Sequence, residues 1–86
     1  MTASHHEPWQ IEAGHRFRDL RHRSGHTQES LSVAAGVSRP VIVDLERGYR
    51  VPGPLIVRRL ARPLEGVLEG RTLSSWLLES NDSPAR

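Results

Sequence analysis

Apolar positions along the chain recur at three- and four-residue spacings in short bursts, with no strand-like alternation. Trp9, Ala13, Phe17 and Leu20 are spaced by four, four and three, which sets them on one face of a helix over residues 9–23. Arg16, Arg18 and Arg23 fall largely off that face. Pro8 suits the start of this helix. Ser24-Gly25-His26 breaks it, with Gly25 as a C-cap. Thr27 is a natural N-cap for a second helix, whose small apolar face is Leu31, Ala34 and Ala35. Gly36 allows the left-handed backbone that a sharp turn needs, and Val37 plugs the corner. Ser38 N-caps a third helix that ends at Gly48. Pro40 is tolerated there because it lies in the first turn, before the helix's own hydrogen bonds begin. Ile42 and Leu45 face inward.

Residues 49–54 are turn-rich, and a fourth helix is expected over residues 54–62, ended or kinked by Pro63. Leu64, Val67 and Leu68 are apolar, but Gly66 and Gly70 argue against a helix around them. Thr72 caps a last helix over residues 73–79, with Leu73, Trp76 and Leu77 on one face. The expectation is an all-α domain of five short helices over residues 9–79. A disordered arm (residues 1–8) precedes it, and a polar tail (residues 80–86) follows.

Eighty-six residues make one domain with a modest core, for which dimerisation would supply further burial. The absence of cysteine excludes a disulfide frame and a thiolate metal site. No apolar run approaches the ~18 residues of a membrane span, and the first residues lack a signal-peptide apolar segment. The expected setting is cytoplasmic, on the bacterial nucleoid or encoded by a phage. Charge is unevenly spread. Residues 9–62 hold ten arginines against five carboxylates, a net of +5, whereas residues 63–86 hold two arginines against four, a net of −2. A basic face attracts the phosphate backbone at long range. Every lysine-or-arginine position is Arg, the better bidentate partner for guanine and phosphate. Codon usage in a GC-rich genome is the more ordinary source of that bias, which therefore points to a bacterial or phage source more than to a mechanism.

A short helix, a glycine turn and a second short helix over residues 27–48 have the layout of a helix-turn-helix, whose second helix enters the DNA major groove. Arg39, in the first turn of that helix, has the geometry to pair with guanine O6 and N7, or to hold a phosphate. Val41 and Val43 suit thymine methyl groups. Arg47, Arg50 and the Arg58/Arg59/Arg62 group suit phosphates, although solvated surface charge is the commoner fate of any single arginine. The five histidines offer no metal site. His15 and His22 lie two helical turns apart, and Ser24-Gly25 interrupts the helix between His22 and His26. No phosphate loop, nucleophile elbow or acid pair is present, so neither an enzyme nor a cofactor is expected.

Leu20-Arg21, Thr27-Gln28-Glu29, Leu31, Ala35-Gly36-Val37-Ser38, Ile42, Leu45-Glu46-Arg47-Gly48, Pro52 and Leu60-Ala61 resemble the Xre/Cro-type, lambda-repressor-like helix-turn-helix domain. The resemblance covers residues 9–62 and, more weakly, the last helix. It implies that Gln28 grips a phosphate and buttresses the recognition helix. It also implies that Arg21 and Glu46 form a structural ion pair, that Arg39, Pro40 and Asp44 lie where bases are read, and that Tyr49, Arg50 and residues 53–55 lie on the sugar-phosphate backbone. Ser32, Val33, Val41 and Val43 depart from the family pattern. Pro40 offers a base no side-chain hydrogen bond, and Asp44 only accepts, so cytosine N4 is its natural partner.

The residues expected at double-stranded DNA are thus Gln28, Ser38, Arg39, Pro40, Val41, Val43, Asp44, Arg47, Tyr49 and Arg50. Two half-sites one helical turn apart call for a homodimer. Leu73, Trp76 and Leu77 either supply its contact or complete the domain's own core. The implied function is a sequence-specific transcriptional regulator, a repressor in the first instance. The alternative is an antitoxin or interaction module that keeps the fold and binds a protein partner, a toxin or another regulator, through its C-terminal segment.

Overall fold

Local capping chemistry sets the first helix boundaries. In a computed structural model that describes residues 7–78, Pro8 occupies the first turn of α1 (Pro8–Arg23). The Gln10 side chain accepts the Glu7 backbone N–H at 3.1 Å. Of the arm expected to be disordered (residues 1–8), residues 1–6 lie outside the described residues, as do Glu79 and the polar tail (80–86), whereas Glu7 and Pro8 form the cap and first position of α1. At the other end of α1 the chain turns back in a paired motif: the Gly25 N–H binds the His22 carbonyl at 3.0 Å and the His26 N–H binds that of Arg21 at 3.2 Å. Thr27 and Ser30 then cap each other reciprocally, since Thr27 Oγ1 accepts the Ser30 N–H and Ser30 Oγ accepts the Thr27 N–H. That opens α2 (Gln28–Ala35). A turn through Gly36 and Val37 leads to α3 (Arg39–Arg47), followed by α4 (Pro54–Ala61), α5 (Glu65–Leu68) and α6 (Leu73–Leu78).

One apolar core joins these helices. Phe17 and Leu20 from α1, Leu31 from α2, Ile42 from α3, Leu60 from α4, Leu64, and Leu73 from α6 are its fully buried members. α1 packs against α3 and α6, and α2 against α3 and α4. The α1–α3 crossing is unusually close. A Cβ at Gly14 would stand 2.7 Å from the carbonyl oxygens of both Leu45 and Glu46. From the other side, Gly48 ends α3 at φ +80°, and a Cβ there would stand 2.8 Å from Ile11 Cα. Each helix thus contributes a glycine where the partner's backbone passes. The closeness is what holds α3 at a fixed angle on α1.

The structure differs from the five-helix expectation at α5. Gly66 does not prevent a single helical turn, because Leu64 and Leu68 on either side of it are buried and hold the segment against the core. The turn ends at Glu69 in a left-handed conformation (φ 56°).

The C-terminal face also departs from the dimer reading. Leu73 and Leu77 are buried within this domain, at 1% and 6% exposure, so they are not available to a second subunit. Trp76 lies half-buried on the same core. Its indole N–H donates to the Leu68 carbonyl at 2.8 Å. The Arg71 and Arg23 guanidinium groups lie 4.5 and 5.6 Å from the ring centroid. Trp76 therefore closes the α5–α6 corner of its own domain. Trp76→Ala is expected to cost about 1–2 kcal/mol of stability, less than a fully buried tryptophan because the ring is only partly covered. Sedimentation should show the oligomeric state unchanged. A folded variant whose association is lost would return Trp76 to an intersubunit contact.

Candidate nucleic-acid interface

Positions four apart on a helix share a stripe, and on α3 this aligns Arg39, Val43 and Arg47. Arg39 and Arg47 are exposed and Val43 is half-buried between them. The opposite side of α3, through Ile42 and Leu45, is in the core. Val41 is half-buried, packs on that core and is not on the lining of the depression that Val43 faces. Pro40 is exposed on the flank beside the stripe, and Asp44 is half-buried there.

Ser38 sits at the N-cap in extended conformation, yet its side chain makes no capping hydrogen bond. The reason lies in the next residues. Pro40 has no N–H, and the Val41 N–H is already held by the Ser38 carbonyl at 3.1 Å. The exposed Ser38 hydroxyl is left facing outward at the tip of the helix.

A buried charge network holds the base of α3. Arg21 Nε donates to Glu46 Oε2 at 2.5 Å, and its Nη2 to Oε1 at 3.2 Å. Both residues are buried, at 7% and 8% exposure. Arg21 Nη1 also donates to the His26 carbonyl at 2.9 Å, and Nη2 lies 3.2 Å from His22 Nε2. Gln28 Nε2 completes the group, donating to Glu46 Oε1 at 3.1 Å. One carboxylate on α3 is therefore tied to α1 and α2, and through Arg21 to the corner between them. Among the described residues no buried side-chain nitrogen or oxygen lacks a partner. Gln28, expected at a phosphate, has at least one amide N–H engaged by this network.

Above the network lies an open depression between α1, the start of α2 and α3. Arg39, Val43 and Arg47 form its α3 wall, and Gln28 and Thr27 lie at its α2 end. Arg18, which nothing in the sequence pattern assigned to DNA, lines it from α1, together with His22 and His26, histidines expected to be solvated or to face phosphates. Glu29 is also on its lining.

The loop after α3 goes elsewhere. The Arg47 guanidinium lies 5.8 Å from the centroid of the exposed Tyr49 ring. Arg50 lines a different cavity, of about 70 Å³, among Trp9, Val51, Pro52 and Leu78. Arg59 is fastened to the helix-turn-helix corner, donating to the Gly36 carbonyl at 3.0 Å. Arg39, Arg47 and Gln28 are thus brought together, whereas Arg50 stands apart from them. Among the described residues no group of three His, Cys, Asp or Glu could hold a metal ion, and no helix is long and apolar enough to cross a membrane.

Comparison with known proteins agrees with this geometry. Residues 12–73 match the family described as helix-turn-helix domain. The HTH-type transcriptional regulator YazB of Bacillus subtilis (strain 168) is 38% identical over 48 residues, covering 56% of this chain and 70% of the relative. A second regulator of that organism, YgzD, is 30% identical over 66 residues, covering 77% and 96%. The crystal structure of the restriction-modification controller protein C.AhdI from Aeromonas hydrophila matches with a TM-score of 0.62 at 32% identity, covering 65% of this chain and 85% of that one. The clp gene regulator ClgR from C. glutamicum matches with a TM-score of 0.66, covering 87% and 90%; at 21% identity it bears on the fold alone. The chain belongs to the helix-turn-helix domain family, a class of DNA-binding transcriptional regulators and not of enzymes.

Proposed function

We propose that the protein is a sequence-specific transcriptional regulator, in the first instance a repressor, that inserts α3 into the major groove. The observation that carries this reading is the outward stripe of Arg39, Val43 and Arg47 on a helix whose base is locked by the Arg21–Glu46–Gln28 network. Arg39 stands in the first turn, the part of a recognition helix that reaches bases. Its guanidinium pairs with guanine O6 and N7. Val43 meets a thymine methyl, and Asp44 on the flank accepts from cytosine N4. Ser38, Arg47, Tyr49 and Arg50 hold the sugar-phosphate backbone on either side, with Pro40 making apolar contact beside them. The setting is the cytoplasm, on nucleoid or phage DNA.

Two half-sites are read by two copies. With Leu73 and Leu77 in the core, one apolar surface open to subunit contact is that of Trp9, Val51 and Leu78, at 48%, 50% and 63% exposure around the 70 Å³ cavity. That same surface favours a second reading, in which a toxin or another regulator docks there as protein partner. Sedimentation at micromolar concentration separates the two. A dimer disrupted by Leu78→Asp supports the first, and a monomer that binds DNA only at single half-sites supports the second.

The central test is selection of bound duplexes from a random pool, followed by titration of the winner. Arg39→Ala should remove about 1–3 kcal/mol of discrimination at one G·C pair while leaving affinity for unrelated DNA nearly unchanged. An equal loss on every duplex would make Arg39 a phosphate contact instead. Binding that is insensitive to salt would reject the DNA reading as a whole.

A further inference from the structure

Four arginines of α1 are described, and three have carboxylate partners. Arg16 faces Glu12 at 3.7 Å, Arg21 holds Glu46, and Arg23 lies 3.6 Å from Asp19 and 3.9 Å from Glu69. Arg18 alone among them has no partner among the described residues. It is exposed, and it lines the depression whose far wall carries Arg39 and Arg47. Three guanidinium groups therefore converge on one concave surface. The Glu46 carboxylate beneath them is already occupied by Arg21 and Gln28. Like charges gathered in this way repel, and among the described residues that line the depression Glu29 is the one carboxylate not already taken up by an arginine, one charge against three. The arrangement calls for an anion supplied from outside.

We infer that Arg18 is a contact to the DNA backbone made from α1. It holds a phosphate of the strand that borders the groove occupied by α3. This rests on the reading that α3 enters the major groove, and it adds a residue that neither the helix-turn-helix motif nor the recognition stripe contains. The chemistry is that of a guanidinium on a phosphate: strong, charge-assisted and blind to base identity. Its neighbours are less suited to the role. His22 Nε2 faces Arg21, and His26 Nδ1 lies 2.8 Å from Ser30 Oγ, so each ring already has one nitrogen in a hydrogen bond. Glu29 lies on the same depression without a cationic partner among the described residues, and opposes the strand there. Arg18 sets the register of the α1–α2 corner on the backbone and so fixes how deeply the tip of α3 enters.

The test is fluorescence-anisotropy titration of the full chain between 50 and 200 mM salt. One duplex is the operator selected from the random pool and the other a scrambled sequence of equal length. Arg18→Gln should reduce the slope of log affinity against log salt by about 0.9, the value for one phosphate contact. The affinity lost across that salt range then shrinks about threefold, equally on both duplexes. The melting temperature should stay within a degree or two, because the side chain has no partner among the described residues. Arg16→Gln, on the same helix but paired with Glu12, should leave the slope unaltered. A wild-type slope in Arg18→Gln, or a slope lost to the same degree in Arg16→Gln, overturns the assignment while leaving recognition by α3 standing. A wild-type protein without salt-dependent binding overturns both.

Discussion

Gly14→Val should unfold a large part of the protein at 37 °C, at a cost above about 3 kcal/mol. The new Cβ would stand 2.7 Å from two carbonyl oxygens of α3 and 3.0 Å from the Glu46 carbonyl carbon. These are backbone atoms, so no side-chain rotation relieves the contact. α1 and α3 must separate, and with them Phe17, Leu20, Ile42 and Leu45 lose contact across the core. Overpacking alone costs about 1–3 kcal/mol, and a β-branched residue recovers only about a few tenths of a kcal/mol of helix propensity over glycine, too little to offset it. Gly14→Ala is the milder form, since alanine recovers about 1 kcal/mol of helix propensity. A loss of about 2 kcal/mol is expected there, a fall in Tm of roughly 8–16 °C for a domain of this size. Gly66→Ala is the comparison. Nothing lies within 4 Å of the Cβ it would introduce, and its φ is ordinary, so it should be neutral or stabilising by up to about 1 kcal/mol. Thermal unfolding followed by circular dichroism decides. If Gly14→Ala melts with the wild type, the α1–α3 crossing is not as close as described.

The same glycine shows where sequence reading reached and where it stopped. Caps and turns were legible because their chemistry is local. Gly25, Thr27, Gly36 and Gly48 all act within a few residues of themselves, and the end of α1, both ends of α2 and the end of α3 follow from them. Gly14 carries no such mark. A glycine inside a helix is called for only by the backbone that passes it, and that backbone lies some thirty residues further along. Arg18 was unmarked for the same reason: whether an arginine is paired depends on which carboxylates the fold brings near, not on its place in a periodic pattern. The Leu73/Trp76/Leu77 face shows the converse limit. Its periodicity was correct, but periodicity says only that a face is buried, not against which chain. In a domain this small the internal core took it. α5 formed where glycine content argued against it, since burial of Leu64 and Leu68 outweighs the modest propensity cost of one Gly66.

Arg21→Ala should cost about 3–5 kcal/mol, because it strands Glu46 in a buried site. The loss is held toward the lower figure by Gln28, which still donates to Glu46 Oε1, whereas the His26 carbonyl loses a donor. A buried pair need not itself be stabilising. Its two charges give up solvation to meet, and apolar residues of similar volume often do as well or better. The double variant Arg21→Met with Glu46→Leu should therefore recover most of the melting temperature that the single variant loses. DNA affinity should not recover with it. In the double variant Gln28 has lost the carboxylate that orients its amide, and the base of α3 is no longer tied to α2 through that group. Stability and recognition are thereby separated: the ion pair is retained for the position it imposes on α3 and Gln28, more than for the free energy it adds. Urea unfolding and operator titration on the same two proteins test this. Affinity restored together with stability would reduce the network to packing alone, and an Arg21→Ala protein that melts like the parent yet no longer binds the operator would make Arg21 a direct DNA contact.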